Sequence, residues 1–181
     1  LWVVGRVASA QESQRTDRAN YFVAKLDPSG REVLQTTFLG SSANEIPHAL
    51  AITTLGEIVV AGQSTPLDSG NPDIFVTRLA PDARAVISQA VFGGSGTDVA
   101  HALITDADGS AWIAGSTTSS DFPVSDSGAQ RSPGGEGDAF VAKLDRSGGI
   151  RFASYLGGTA SDDAAGLAVD SRGAIYVSGT T

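Results

Sequence analysis

Three acidic side chains, Glu45, Asp98 and Asp162, recur at one aligned position of an internal repeat, and His48 and His101 recur three residues further on. Carboxylates gathered by a repeat can supply oxygen ligands to Ca²⁺ or Mg²⁺, or set a negative field for a cationic ligand. The competing use is turn chemistry, in which each carboxylate accepts loop amides. The histidines make an incomplete metal set, because the third copy carries Ala165. No cofactor is expected, with calcium the first ion to test at these acids.

Other chemistries find too few residues. Serines are abundant, but there are two histidines and no GxSxG, so no Ser-His-Asp arrangement can be argued. The glycine-rich run Gly93 to Gly96 lacks the lysine of a phosphate loop. Asp106-Ala107-Asp108-Gly109 opens like a calcium loop, yet Thr117 stands where the bidentate glutamate belongs, so a hairpin turn is expected. The run Thr105 to Trp112 is similar to the Asp-box of sialidases, without the arginine cluster that would hold a carboxylate substrate. With no cysteine there is no thiolate nucleophile or disulfide framework. The expectation is that the chain is not an enzyme.

The elements that position these residues follow from the repeat. Segments YFVAKLDPSG from Tyr21, IFVTRLAPDA from Ile74 and AFVAKLDRSG from Ala139 are three copies of one unit. Each is followed by a second unit, from Phe38, Val91 and Tyr155, and these align without a gap. Gly40, Gly93 and Gly157 keep step with Gly62, Gly115 and Gly179. The apolar runs are strand-length, rich in Val, Ile and aromatics, and bounded by Gly, Pro, Asp and Ser. Each repeat thus has four strands: a (HALAI, HALIT, GLAVD), b (EIVVAG, AWIAG, AIYVSG), c (FVAKL, FVTRL, FVAKL), and d, ending near Phe38, Phe92 and Tyr155. Trp2, Val59, Trp112 and Tyr176 share one register of strand b. Stacked sheets bury such a column, and an exposed aromatic platform for carbohydrate is the alternative.

The predicted fold class is all-β, a β-propeller fragment of four-stranded antiparallel blades, two complete and two partial. The predicted divisions are a partial blade over 1–47, blades over 48–99 and 100–164, and a partial blade over 165–181. A closed ring of six to eight blades needs on the order of 330 to 450 residues. A chain that opens Leu1-Trp2, without Met, is therefore expected to be a fragment whose partners include the remaining blades of a parent propeller. Its open blade edges would favour self-association.

Propeller geometry puts the a–b and c–d turns on one rim and the b–c and d–a connections on the other. The a–b and c–d turns are short, whereas Gly5 to Phe22, Gly62 to Phe75 and Gly115 to Phe140 differ in length, at 17, 13 and 25 residues. Variation confined to one loop class is how a scaffold diversifies a binding face. Long loops are also tolerated on any surface, since closure entropy grows slowly. Asp121, Phe122 and Arg131 of the longest loop are the candidate contact residues, with Phe122-Pro123 the anchor that packs it down.

Composition restricts the partners. Twelve Lys and Arg against twenty Asp and Glu give a net charge of -8, with the cations scattered singly, which disfavours nucleic acid. No apolar run is long enough to predict membrane insertion by a helix.

The segment from Thr117 to Thr181, with the motifs DFP, DAFVAKLDRSG, YLGG and the a–b turn DSRG, resembles the SBBP, or seven-bladed β-propeller, repeat family of bacterial proteins. The resemblance weakens around Thr53 to Asp73, where DFP is missing and the turn reads TTLG. It implies a secreted or cell-surface bacterial protein and no known catalytic residue. The function expected is a non-catalytic extracellular binding or adhesion scaffold for a glycan or protein, its ligand face formed by the b–c and d–a loops. A purely structural spacer, and part of a propeller enzyme whose site lies outside this chain, remain alternatives.

Overall fold

In a computed structural model, residues 1–6, 20–67 and 70–181 are described. Among the described residues, thirteen strands form four antiparallel sheets. The first is β1 (Trp2–Arg6), β2 (Tyr21–Leu26) and β3 (Val33–Leu39). The second is β4 (Asn44–Ile52), β5 (Ile58–Thr65), β6 (Asp73–Leu79) and β7 (Val86–Phe92). The third is β8 (Asp98–Thr105), β9 (Ala111–Thr117), β10 (Asp138–Leu144) and β11 (Ile150–Leu156), and β12 (Asp163–Val169) with β13 (Ile175–Thr180) makes the fourth. Each sheet is a meander in sequence order, and the innermost strands pack side by side, β4 on β8 and β8 on β12. This is an all-β propeller fragment with two complete four-stranded blades and two partial ones.

Strand alternation sends successive side chains of one strand into different cores. From β5, Ile58 and Val60 enter the core shared with the first sheet, beside Tyr21, Val23, Phe75 and Leu79. Val59 and Ala61 enter the core shared with the third, beside Leu103, Ile113, Phe140 and Tyr155. Each large side chain fully buried there is worth about 1.5–3 kcal/mol. Tyr21 is wholly buried, its hydroxyl donating to Thr77 Oγ1 at 3.1 Å, and burial pushes its pKa up to about 12 despite that bond. The strand-b column divides: Val59 is core, Trp112 is half-buried between Lys143 and Phe152, and Tyr176, on the last sheet, is exposed.

Strand a starts three or four residues earlier than the apolar runs suggest, at Asn44, Asp98 and Asp163. Each copy also carries a β-bulge. Pairing skips from Pro47 to Ala49, from Ala100 to Ala102 and from Ala164 to Gly166, leaving His48, His101 and Ala165 as the extra residues. The bulge explains the strand-b glycines, which are not turn residues. A Cβ at Gly62, Gly115 or Gly179 would land on the carbonyl oxygen of Ile46, Val99 or Asp163.

The complete blades are also joined by charge. Arg78, 2% exposed, donates to Glu57 Oε2 at 2.8 Å and to the Gly109 carbonyl of the next blade at 2.6 Å, while Arg146 of that blade holds the other Glu57 oxygen.

Candidate binding site at the b–c and d–a rim

The three aligned acids are turn acceptors at separate places. Glu45 is 3% exposed and accepts from Ser41 and from Asn20 Nδ2. Asp98 is fully buried; its Oδ2 accepts from Gly94 N at 2.8 Å and Ser119 Oγ at 2.7 Å, and its Oδ1 has no partner. Asp162 accepts from Gly158 N at 2.8 Å. Among the described residues, no group of three or more His, Asp or Glu is placed to hold a metal ion.

Each acid faces a second polar residue that sequence reasoning missed, the one opening strand c. Asn20 donates to Glu45; Asp73 and Asp98 close on Gly93 from two sides; Asp138 and Asp162 close on Gly157 in the same way. A Cβ on either glycine would strike both carboxylates. The first pair joins an amide to an acid, and the others set acid against acid. Burial, and after it the Asp98 charge, raises the pKa of Asp73. The signal was present in the sequence, since Asn20, Asp73 and Asp138 stand in one column of the repeat.

The bulges turn the histidines from each innermost strand toward the next. The His48 and His101 rings stack at 5.6 Å between centroids and 8° between planes, and His48 Nδ1 lies 2.9 Å from the Ala100 carbonyl. His101 Nε2 lies 3.3 Å from Ser116 Oγ and 3.3 Å from Asp163 Oδ1 of the last sheet. Both contacts fall on one nitrogen, whereas a hydrolytic triad uses a different imidazole nitrogen for serine and for acid. The arrangement is a polar ladder across three blades, with His48 exposed and the Asp163 side chain 44% exposed.

The longest b–c loop folds back on its own blade. Phe122 is 3% exposed and packs between Phe92, Phe140 and Tyr155, with ring centroids at 6.1, 4.9 and 5.9 Å. Tyr155 Oη accepts from Phe122 N and donates to the Ser119 carbonyl. Ser125 N donates to the Ala153 carbonyl at 3.0 Å and Tyr155 N to the Gln130 carbonyl at 3.1 Å, so the loop covers the outer edge of β11. Asp121 accepts from Ser95 N and Oγ, and these bonds draw its pKa down. Of the three loop candidates, Phe122 is core, Asp121 is a tie to the preceding d–a turn, and Arg131 stands in solvent beside Asp126 at 2.8 Å. The first b–c connection, Arg6 to Asn20, lies mostly outside the described residues.

On the opposite rim, the a–b turns of three blades surround a cleft of about 550 Å³ whose walls include Ile52, Asp106, Asp108, Trp112, Lys143 and Asp170. Asp106 accepts from Asp108 N, Ser110 N and Trp112 Nε1 and pairs with Lys143 at 2.8 Å. The look-alike calcium loop is thus a hairpin turn, with Gly109 at φ 77°. Among the described residues, no helix is long and apolar enough to cross a membrane. No protein-family model matches the chain, and a search of curated proteins returned no significant match.

Proposed function

We propose that this chain is part of a non-catalytic binding or adhesion scaffold, built of SBBP-type propeller repeats and displayed outside a bacterial cell, with a glycan or protein as ligand. The observation that carries the reading is the ladder of His48, His101 and Asp163, which brings polar side chains of three blades together while the carboxylates around it are committed to turns. Imidazole rings and an exposed carboxylate supply the donors, acceptors and flat faces that hydroxyl-rich or peptide ligands use. The test is a glycan and protein array probed with the wild-type chain and with a His48→Ala, His101→Ala double variant. Binding lost in the double variant supports the rim; equal binding by both chains refutes it.

A second reading, an architectural spacer within a larger polypeptide, is favoured by one observation. The longest loop covers its own edge strand instead of projecting. Arrays that stay blank, with a protease-resistant chain, would favour the spacer.

A further inference from the structure

The two complete blades differ at their outer edge. In the third sheet, residues 122–130 lie along β11, satisfy the outward backbone of Ala153 and Tyr155, and bury an aromatic ring at the end of the strand. In the second sheet, Gln89 and Val91 hold the matching places, since Val91 pairs with Phe75 as Tyr155 pairs with Phe140. Among the described residues, no segment hydrogen-bonds to the outer backbone edge of β7. The described end of that blade's b–c connection is tied to the following d–a turn: Pro72 accepts from Asp98 N at 2.8 Å, and Asn71 Nδ2 donates to the Ser95 carbonyl at 2.7 Å.

Apolar side chains stand exposed along this strand, with Val86, Ile87 and Val91 at 49%, 46% and 59%, and the next blade's c–d turn touches it at Ser88, whose Oγ donates to the Arg146 carbonyl at 3.0 Å. At its Val91 end is a recess of about 530 Å³ between Ser42, Ala43, Pro66, Leu67 and Val91. Its walls correspond in the repeat to those around the Phe122 turn, with Val91 for Tyr155, Pro66 for Ser119 and Ser42 for Ser95. Val91 is much smaller than Tyr155, and among the described residues no aromatic ring lines the recess. An unpaired edge beside an apolar recess is the geometry of strand addition, in which main-chain bonds give affinity and a pocket gives selectivity.

We propose that the outer edge of β7, with the recess at its Val91 end, is a docking strand for a peptide segment of another protein that carries an aromatic residue followed by proline. The segment lies on β7 as residues 122–130 lie on β11, its main chain bonded to the outward Gln89 carbonyl and Val91 N–H, with its ring in the recess. The site is separate from the histidine ladder and does not depend on the ligand assigned to that rim.

A labelled synthetic peptide spanning residues 117–131 is the probe, read by fluorescence anisotropy and by amide hydrogen exchange on the whole chain. Saturable binding is expected, with exchange slowed at Gln89 and Val91. Affinity should fall at least tenfold when the peptide phenylalanine is replaced by alanine. It should fall similarly for the Val91→Asp and Ile87→Lys proteins, both changed at exposed positions and checked for native circular dichroism. The inference is overturned by absence of binding, by binding that both protein variants retain, or by protection confined to β11 or to the histidine ladder. Concentration-dependent protection of β7 without peptide would also overturn it, by assigning the edge to a second copy of the chain.

Discussion

Replacing Arg78 by methionine isolates the charged joint between the complete blades. The side chain is 2% exposed and serves two acceptors at once, Glu57 on its own blade and the Gly109 carbonyl on the next. Methionine retains much of the apolar volume but leaves Glu57, 5% exposed, with Arg146 alone, and leaves the Gly109 carbonyl without its donor. Breaking a buried ion pair from one side costs about 3–5 kcal/mol. At about 2–4 °C per kcal/mol for a chain of this size, Tm should fall by roughly 6–20 °C in a calorimetric scan at pH 7. The pH dependence should change as well. Burial pushes the Glu57 carboxyl up, but Arg78 and Arg146 together hold it below its ordinary value of 4.5. A depressed folded-state pKa contributes stability that is present above the unfolded value and lost as pH falls through the folded one. The wild type should therefore lose this increment below about pH 4.5, and the variant should lose less of it over the same interval. A Tm within about 2 °C of wild type, or an unchanged acid slope, would refute the joint as a stabilising element.

Other outcomes follow from particular contacts. Gly115→Ala drives a Cβ into the Val99 carbonyl oxygen and should cost at least about 1–3 kcal/mol by urea titration, whereas Gly158→Ala, with open space around the new atom, should be nearly silent. Phe122→Ala removes the loop plug and should cost about 3–5 kcal/mol, with faster amide exchange at Tyr155, whose N–H the loop now holds. Asp145 is held at about 2, chiefly by the Ser147 hydroxyl and then by the Gly149 amide; an NMR titration should find that midpoint, and Ser147→Ala should move it upward. Arg131→Ala touches only an exposed pair and should leave Tm unchanged.

Much of the fold was legible because strand, turn and glycine recur with a fixed spacing, and a repeated local pattern is self-checking. What was not legible depended on pairing between distant residues. Asn44 to Pro47 reads as turn composition, yet β5 extends the strand across it, and Pro47 is tolerated because β4 is an edge of its sheet. Gly62 and Gly115 look like punctuation, but a one-residue slip in the facing strand is what demands them. The loop after β9 is rich in serine and glycine, the composition of a solvated segment, and only contacts from Ser125 to Ala153 and Gln130 to Tyr155 show that it is consumed by its own blade. Phe122-Pro123 was readable as an anchor because an aromatic ring within a polar loop needs somewhere dry to go. The acid pairs were missed because each acid was weighed alone, and the residue facing Asp98 or Asp162 belongs to another strand.

The two larger cores are each shared between neighbouring sheets, and β5 feeds both. A blade cut out alone would carry two unmatched half-cores and no interior of its own. The same arrangement makes duplication of the repeat safe. Copying one unit copies a left face and a right face that already fit each other, so an added blade meets a matching neighbour without a compensating mutation, and the array can lengthen by recombination before selection has refined any side chain.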